Sequence, residues 1–306
     1  MRADIVIIGA GISGAVLAER YAAIGKKVLV LEKRDHIAGN CYDHLDENGI
    51  LVSRYGAHLF HTNEEDVWEY VNQFSDWYPW EHRVVARVDE QLVPIPVNIT
   101  TVNKLFGLNI ANELEMKAWL EQNRQPHSEP QDGREAVLDK VGPELYEKMF
   151  RHYTKKQWDK YPEELDASVL NRIPVRTNHD DRYFSDRYQA LPKGGYTQLF
   201  KKMLAHENIQ VLLSTDFFDV CDALQGYEKI FYTGPIDRFF NFKHSREDKL
   251  EYRSINFVSE TVDAPYFQDH SVVNYPGMEV DFTRIIEYKH FGNHQSEKTT
   301  IAGNIQ

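Results

Sequence analysis

Residues 3–34 read ADIVIIGAGISGAVLAERYAAIGKKVLVLEKR, and this stretch decides the fold. The apolar run from Ile5 to Ile8 predicts a parallel strand that is covered on both faces, and a glycine-rich turn follows it directly. Apolar residues then recur at helical spacing as far as Gly25, where a helix C-terminal cap is expected, and a second apolar run ends in Glu32. The stretch therefore predicts one complete βαβ unit.

The turn between the first strand and the helix has the sequence GAGISG. Its first glycine permits the tight turn, its second lets the backbone approach a pyrophosphate, and its third lets helix and strand pack closely. Glu32 lies 23 positions after Gly9, where a carboxylate can accept hydrogen bonds from an adenosine ribose. Glycine-rich turns also have purely structural uses, but the full context predicts a dinucleotide site. Its residues in the turn are Gly9, Gly11, Ile12, Ser13 and Gly14.

The composition limits the classes of protein to which the chain can belong. The chain has 306 residues, of which 42% are hydrophobic, and a net charge of −12, which argues against a nucleic-acid surface. No apolar run approaches the roughly 20 residues that cross a bilayer, and the first strand begins too early for a signal peptide. Two cysteines form neither a disulfide framework nor a metal cluster. We expect a cytoplasmic protein with no membrane span and no nucleic-acid partner.

Residues 54–62 read RYGAHLFHT and place two histidines, His58 and His61, beside a glycine. This spacing predicts a loop that brings both imidazoles near a bound ring, where they can titrate close to neutral pH. No third ligand is suitably spaced for zinc, so we expect no metal site. Packing and capping histidines are the alternative interpretation.

Later segments alternate between strand and helix patterns. Residues 63–74 predict a helix capped by Asn63, and residues 83–97 predict a hairpin whose proline-containing second arm is an edge strand. Residues from about 100 to 157 are mostly helical. Further strands are expected at 209–213 and 229–232, and Gly234 follows the second of them at a strand end suited to face a cofactor.

Two segments carry candidate ligand groups. Phe150, Tyr153, Thr154 and Trp158 recur at helical spacing, which taken alone favours a core position over a ligand platform. Four arginines, at 172, 176, 182 and 187, concentrate positive charge in this segment. The planar guanidinium group of arginine suits phosphate. Solvated surface arginines are the alternative for any single one of them.

Several motifs resemble known flavoproteins. The segment RDHIAGNC at 34–41 resembles the extension of FAD-binding Rossmann proteins of the amine-oxidase and mutase type, which favours FAD over NAD, with an ordinary surface turn as the alternative. It adds Arg34, Gly39 and Asn40 to the cofactor site. Together with GAHLFHT, the strings YTKKQW at 153–158, NRIPVR at 171–176, DDRYF at 180–184 and TRIIEYK at 283–289 resemble the bacterial UDP-galactopyranose mutase family. The match runs in order along nearly the whole chain.

This resemblance implies an α/β fold class: a Rossmann-like FAD-binding domain with an inserted helical domain and an additional, mostly antiparallel β-sheet. The FAD-binding domain would comprise residues 1–80 and 190–245. The inserted helical domain, 98–160, would bind UDP. Residues 82–97, 161–189 and 246–306 would form the β-sheet substrate domain, with a mobile lid near 165–185.

The resemblance also implies site residues. The aromatic helix end would bind uridine, with Trp158 at the uracil, and Arg172 would close over the diphosphate from the lid. His58 and His61 would lie at the flavin face, and with Arg172 and Arg284 they form the expected catalytic set. The implied substrate-binding residues are Phe150, Tyr153, Thr154, Trp158, Arg172, Tyr183, Phe184, Asn274 and Arg284.

The implied function is a FAD-dependent isomerisation, active with reduced FAD, that interconverts UDP-galactopyranose and UDP-galactofuranose through a covalent flavin N5–sugar adduct. The product would serve galactofuranose-containing cell-surface polysaccharide. Two alternatives stay open: a flavin oxidoreductase that shares only the FAD domain, and a catalytically impaired binding protein, because the family continues beyond Gln306. The chain has His82 where the family usually has Asn, which leaves the contacts there open. A homodimer also stays open.

Overall fold

A computed structural model describes residues 3–172, 174–240, 250, 255–292 and 294–305. The helices are α1 (Ile12–Ala23), α2 (Glu65–Asn72), α3 (Ile99–Phe106), α4 (Glu113–Asn123), α5 (Gly133–Leu145), α6 (His152–Trp158), α7 (Ala167–Asn171), α8 (Tyr196–Met203), α9 (Phe217–Val220) and α10 (Ile236–Phe239). The strands are β1 (Ile5–Ile8), β2 (Val28–Leu31), β3 (Asp43–Leu45), β4 (Leu51–Ser53), β5 (Phe60–Thr62), β6 (Trp77–Pro79), β7 (Val84–Val88), β8 (Gln91–Ile95), β9 (Tyr188–Pro192), β10 (Ile209–Leu212), β11 (Lys229–Tyr232), β12 (Asn256–Val262), β13 (Val272–Asn274), β14 (Arg284–Glu287) and β15 (Thr299–Ile305).

The chain divides into two compact units. The first unit is Met1–Trp80 with Arg187–Tyr252, and the second unit is Glu81–Asp186 with Arg253–Gln306. The finer division that separates a helical domain from a β-sheet domain stays a prediction, and its boundary at 245/246 lies outside the described residues. The α/β fold class is confirmed.

The first unit is built on a four-stranded parallel sheet with the strand order β10-β2-β1-β11. All four residues of β1 and of β2 are buried, as the uninterrupted apolar runs predict for central strands of a parallel sheet. Ala15, Ala18 and Ala22 on α1 belong to the same core cluster as Ile5 and Ile7. Two small antiparallel sheets complete the unit, β3-β4 and β5-β9-β6.

The start of α2 differs from the prediction. Asn63 does not cap this helix, because its Oδ1 accepts a hydrogen bond from the backbone N–H of Arg187 at 2.9 Å. Glu64 occupies the N-cap position, and its own N–H donates to Thr62 Oγ1 at 3.0 Å. The helix therefore begins at Glu65. A contact with Arg187, 124 positions along the chain, has replaced the local cap that the sequence suggested.

The second unit is built on a six-stranded sheet with the order β12-β15-β14-β13-β7-β8. Its neighbouring strands are antiparallel except β13 and β7, which pair in parallel. The predicted hairpin is confirmed, with β8 at the sheet edge and a turn at Asp89 and Glu90, both with positive φ. Edge placement suits β8 because Pro94 has no N–H to donate to a further strand.

The helices of the second unit pack on one core with its sheet. Val93 of β8, Met116 of α4 and Leu145 of α5 belong to one cluster of buried side chains. The long helical pattern at 136–157 is not one α-helix: α5 kinks at Gly142, and a π-helical stretch, Tyr146–Arg151, leads into α6. Within the described residues, no helix is both long enough and apolar enough to cross a membrane.

Candidate functional site

Two glycines of the glycine-rich turn, Gly9 and Gly14, have no room for a side chain. A Cβ on Gly9, whose φ is +103°, would lie 2.3 Å from Thr233 Oγ1. A Cβ on Gly14 would lie 1.9 Å from the carbonyl oxygen of Gly9, so α1 could not pack against the turn. These two glycines are therefore required by close packing, as the fingerprint predicts.

The N-terminus of α1 is open for an anion. Gly11 is its N-cap residue and provides no side-chain cap for the first turn of this 12-residue helix. The side chain of Ile12 is exposed, and Ser13 follows it in the same first turn. Backbone N–H groups and the positive end of the helix dipole together favour a phosphate at this position.

Glu32 is buried beside the turn, and backbone groups orient its carboxylate. Oε2 accepts from the N–H of Ala10 at 2.8 Å, and Oε1 accepts from the N–H of Arg34 at 2.9 Å. Each carboxylate oxygen can accept a further hydrogen bond. The carboxylate therefore fits the ribose contact that the sequence predicts.

The extension after β2 closes over the turn. A Cβ on Gly39 would lie 2.9 Å from the Cα of Gly11, so the two backbones are in close contact. Arg34 donates to Asn40 Oδ1 through Nη1 and Nη2, at 3.1 and 3.0 Å, and its guanidinium stacks 4.5 Å from the centre of the Tyr55 ring. Arg34, Gly39 and Asn40 are thus brought together as predicted.

The end of β11 contacts the same turn. Thr233 Oγ1 donates to the carbonyl oxygen of Ile8 at 2.7 Å, and Gly234 follows it. The turn, the open helix end, the buried acid and this strand end together form a cradle that fits a dinucleotide.

The two predicted histidines differ in their surroundings. The Nδ1 of His58 lies 2.9 Å from the carbonyl oxygen of Gly56, so Nδ1 carries the proton and donates. Burial lowers the pKa of His58, which therefore stays neutral at neutral pH with Nε2 as an acceptor. His61 is exposed on β5, opposite Gln189 of β9. Contact of either imidazole with a flavin stays a prediction.

The second unit joins two of the predicted substrate residues directly. Nη2 of Arg284 donates to the hydroxyl oxygen of Tyr153 at 2.6 Å. Asn274 pairs with Arg284 across the β13–β14 ladder and is itself buried. An arginine at a strand start, a tyrosine on α6 and an amide on the neighbouring strand are therefore adjacent.

His82 lies next to this group. Its side chain is only 4% exposed, and its ring centre lies 5.8, 6.4 and 6.1 Å from those of Tyr183, Phe184 and Phe291. Burial, and secondarily the charge of Arg284, lowers the pKa of His82 to about 4. The imidazole is therefore neutral at neutral pH. The sequence identified this position only as a departure from a family pattern.

The aromatic helix end mixes core and accessible positions. Phe150 and Thr154 are buried, and Phe150 belongs to the core cluster of the second unit. Tyr153 and Trp158 are half-buried on α6. For Phe150 the core interpretation of the spacing is confirmed, while the uridine-binding role of the four residues stays a prediction.

Three of the four clustered arginines are held in ion pairs. Arg176 and Arg182 both pair with Asp180, at 3.1 and 2.9 Å, and Arg187 pairs with Glu65 of the first unit at 3.1 Å. The Asp180 pairs are local in the sequence, four and two positions apart, whereas Glu65 lies 122 positions from Arg187. Arg172 is exposed after α7 and makes no ion pair within the described part of the chain.

Comparisons with known proteins agree with this geometry. A family model described as UDP-galactopyranose mutase matches residues 148–306, and one described as an NAD(P)-binding Rossmann-like domain matches residues 7–74. A probable UDP-galactopyranose mutase of Klebsiella pneumoniae is 39% identical over 299 residues, which cover 97% of this chain and 76% of that relative. The chain belongs to the UDP-galactopyranose mutase family. It is therefore an enzyme of the isomerase type.

The chain is also similar to a second mutase and to a solved structure. A dTDP-fucopyranose mutase of Escherichia coli is 36% identical over 302 residues, which cover 97% of this chain and 79% of that protein. The crystal structure of a reduced UDP-galactopyranose mutase has the same fold, with a TM-score of 0.77 and 18% identity over 99% of this chain and 74% of that one.

Sequence reasoning missed one basic residue within the family motif YTKKQW. The Nζ of Lys156 donates to the carbonyl oxygens of Tyr275, Val280 and Phe282, at 2.7, 3.1 and 3.1 Å. The lysine is visible in the sequence, but its acceptors lie at least 119 positions away. Among the described residues, no three His, Cys, Asp or Glu side chains are grouped so that they could hold a metal ion.

Proposed function

We propose that this chain, with reduced FAD bound, interconverts UDP-galactopyranose and UDP-galactofuranose. The observation that carries the proposal is the Arg284–Tyr153 hydrogen bond, which joins two of the family motifs, TRIIEYK and YTKKQW, at 2.6 Å. An arginine held beside an aromatic helix end suits a nucleoside diphosphate, because its fork binds phosphate oxygens and the helix end offers aromatic surface to a base.

Arg284 has the main electrostatic role. Breaking the anomeric C–O bond leaves negative charge on the diphosphate, and a guanidinium already fixed in place stabilises that charge without having to reorganise. Tyr153 holds the guanidinium, and the β13–β14 ladder holds the backbone. Arg172, exposed and free of ion pairs within the described residues, would add a second cation when the segment near 165–185 closes over the substrate.

The first unit has the cofactor role. Gly9 to Gly14 would receive the pyrophosphate at the α1 N-terminus, and Glu32 would accept from the ribose. When bound, reduced FAD supplies a nucleophilic N5, consistent with the covalent flavin–sugar route that the family resemblance implies. His58, kept neutral by the burial that lowers its pKa, would present Nε2 as a hydrogen-bond acceptor.

The substrate base would be bound by the end of α6. Trp158 is half-buried, so part of its indole is accessible for stacking on a uracil. UDP binding should then quench tryptophan fluorescence, and Trp158→Phe should reduce the quenching. An unchanged quench in Trp158→Phe would contradict the assignment.

The cellular setting completes the proposal. We place the enzyme in the cytoplasm, where its product would serve galactofuranose-containing cell-surface polysaccharide. The net charge of −12 fits a small-molecule substrate bound by a few local arginines rather than a nucleic acid. A homodimer is included in the proposal and is checked by light scattering.

The deciding experiment is a turnover assay. The purified protein is incubated with FAD, dithionite and UDP-galactofuranose, and UDP-galactopyranose is measured by chromatography. Omission of dithionite is the control, and we expect product only in the reduced sample. A parallel assay with dTDP-fucopyranose tests the alternative suggested by the Escherichia coli relative. Turnover of the dTDP-sugar alone would contradict the proposed substrate, and oxidation of substrate in air would favour a flavin oxidoreductase.

A further inference from the structure

Lys156 is unusual because its ammonium group is held entirely by backbone. An ammonium has three N–H donors, and in this structure Nζ lies within hydrogen-bond distance of three carbonyl oxygens, those of Tyr275, Val280 and Phe282. The side chain is half-buried, so these bonds are only partly screened by water. Every donor of the ammonium is therefore used to fix one backbone segment.

The three carbonyls belong to the loop between β13 and β14, residues 275–283. Tyr275 directly follows Asn274, and Phe282 lies two positions before Arg284. The backbone N–H of Tyr275 also donates to the carbonyl oxygen of Thr283 at 2.9 Å, which closes the loop at its base. Lys156 therefore holds both ends of the loop that separates the two predicted substrate residues of this ladder.

Lys156 and Tyr153 are three positions apart on α6 and so lie on the same face of the helix. Tyr153 accepts from the guanidinium of Arg284, while Lys156 holds the backbone that leads into Arg284. Residues on one face of α6 thus hold in place both the side chain of the proposed diphosphate-binding arginine and the backbone that leads into it.

We propose that Lys156 is a positioning residue for the substrate diphosphate, which acts by holding the 275–283 loop so that Arg284 is correctly placed. This inference rests on the proposed function, because it assumes that Arg284 binds the diphosphate. Lys156 itself needs no contact with the substrate.

The neighbouring lysine supplies a matched control. Lys155 lies on the same helix, but its Nζ donates to Asp159, to the carbonyl oxygen at 2.8 Å and to Oδ1 at 2.9 Å, at the end of α6 itself. Lys155→Met therefore removes a lysine charge from the same helix without releasing the loop.

The test is a double-mutant cycle on UDP affinity, measured by titration calorimetry on the FAD-loaded protein. We expect Lys156→Met to weaken UDP binding about tenfold and Lys155→Met to change it less than about threefold, as expected for loss of buried and exposed polar contacts respectively. In the Arg284→Ala background, Lys156→Met should cause no further loss, because coupled residues are not additive. Lys156→Arg, which keeps charge and donors, should recover most of the affinity and provides the comparison if Lys156→Met folds poorly.

The outcomes separate the two proposals. Unchanged UDP affinity in Lys156→Met, or an equal further loss in the Arg284→Ala background, would overturn the positioning role. Full loss of affinity in Lys156→Arg together with normal stability would also overturn it. Unchanged affinity in Arg284→Ala would instead contradict the diphosphate role of Arg284 and with it the proposed function.

Discussion

The glycine-rich turn of the first unit and the arginine site of the second unit are assembled in opposite ways. The turn uses residues 9–14 with Glu32, all within one βαβ unit. The arginine site joins Tyr153 to Arg284, which are 131 positions apart, and adds His82 from a third segment. A site made within one supersecondary unit can be identified from its spacing, whereas a site made from distant segments depends on the packing of the whole unit.

The two sites also differ in how far they tolerate amino-acid substitutions. At Gly9 and Gly14 the turn is limited by close contacts, so an added methyl group would overlap Thr233 Oγ1 or the carbonyl oxygen of Gly9. The arginine site is held by side-chain hydrogen bonds, each of which contributes a limited amount. We expect substitutions in the turn to abolish binding and substitutions in the arginine site to reduce it by degrees.

The largest effect is expected for Gly14→Ala. The new Cβ would lie 1.9 Å from the carbonyl oxygen of Gly9, so α1 must move away from the turn, at a cost of about 3 kcal/mol or more. Unfolding in urea and flavin absorbance after gel filtration measure the losses. Gly25→Ala at the other end of α1 is the comparison, because its Cβ meets no atom within 4 Å and the change costs only the backbone strain of φ +84°, about 1–2 kcal/mol. Equal stability and flavin content in the two variants would show that close packing does not limit the turn.

Arg284→Ala should have the next largest effect. Loss of a charge-assisted bond to phosphate removes roughly 1.5–3 kcal/mol of transition-state stabilisation, which is about a 10- to 150-fold loss of turnover. Arg87→Ala is the control, since Arg87 is exposed on β7 and pairs with Glu90. Steady-state assays and a thermal melt of each variant make the comparison. Similar turnover in both variants would remove leaving-group stabilisation from the role of Arg284.

A smaller effect is expected from the protonation of His82. Because the folded-state pKa is lowered to about 4 from an ordinary value near 6.5, the unfolded state binds the extra proton first. The contribution of neutral His82 to the free energy of unfolding is therefore complete above about pH 7. It falls as the pH decreases through 6.5, by about 1 kcal/mol between pH 7.5 and 5.5. Urea unfolding across this range measures the loss.

His82→Asn should remove that part of the acid sensitivity. His179→Asn, which changes an exposed histidine of the same unit, should leave it in place. Parallel pH profiles for the native chain and His82→Asn would contradict the assignment.

The smallest effect is expected for Asp180→Asn. The hydrogen bond from Arg182 holds the pKa of Asp180 down to about 2, but the pair is partly exposed and its net contribution is about 0.5 kcal/mol. Because the folded-state pKa is depressed, this stability is present above about pH 4 and is lost as the pH falls towards 2. Thermal unfolding of the native chain and of Asp180→Asn at pH 7 measures this stability difference, with Asp263→Asn as an exposed control. A loss of several kcal/mol would mean that Asp180 organises the whole 176–182 segment.

The sequence predicted the βαβ part of the first unit in detail because short-range rules govern it. The uninterrupted apolar runs of β1 and β2, the glycines and Glu32 all follow from local geometry, and the structure places them as expected. Family motifs identified Tyr153 and Arg284 as substrate residues, but only by resemblance. Nothing in either motif alone shows that the two side chains bond to each other.

The errors have a common physical cause. The sequence pattern predicts that Asn63 caps a helix and that Arg187 belongs to a cluster of positive charge. In the structure Asn63 accepts from the N–H of Arg187, 124 positions away, and Arg187 pairs with Glu65, 122 positions away. Polar side chains can take whichever partner the fold brings near, so their pattern along the chain does not fix their contacts.

The sequence by itself determined the βαβ unit, the nucleotide turn, the β7–β8 hairpin and the family. These follow from periodicity, from backbone sterics at glycine and proline, and from motifs read in order. Only the tertiary structure decided that His82 is buried beside Arg284, that Arg187 pairs with Glu65 and that Lys156 holds the 275–283 loop. Burial and long-range hydrogen bonds depend on which distant segments pack together, and that is a property of the folded chain rather than of any stretch within it.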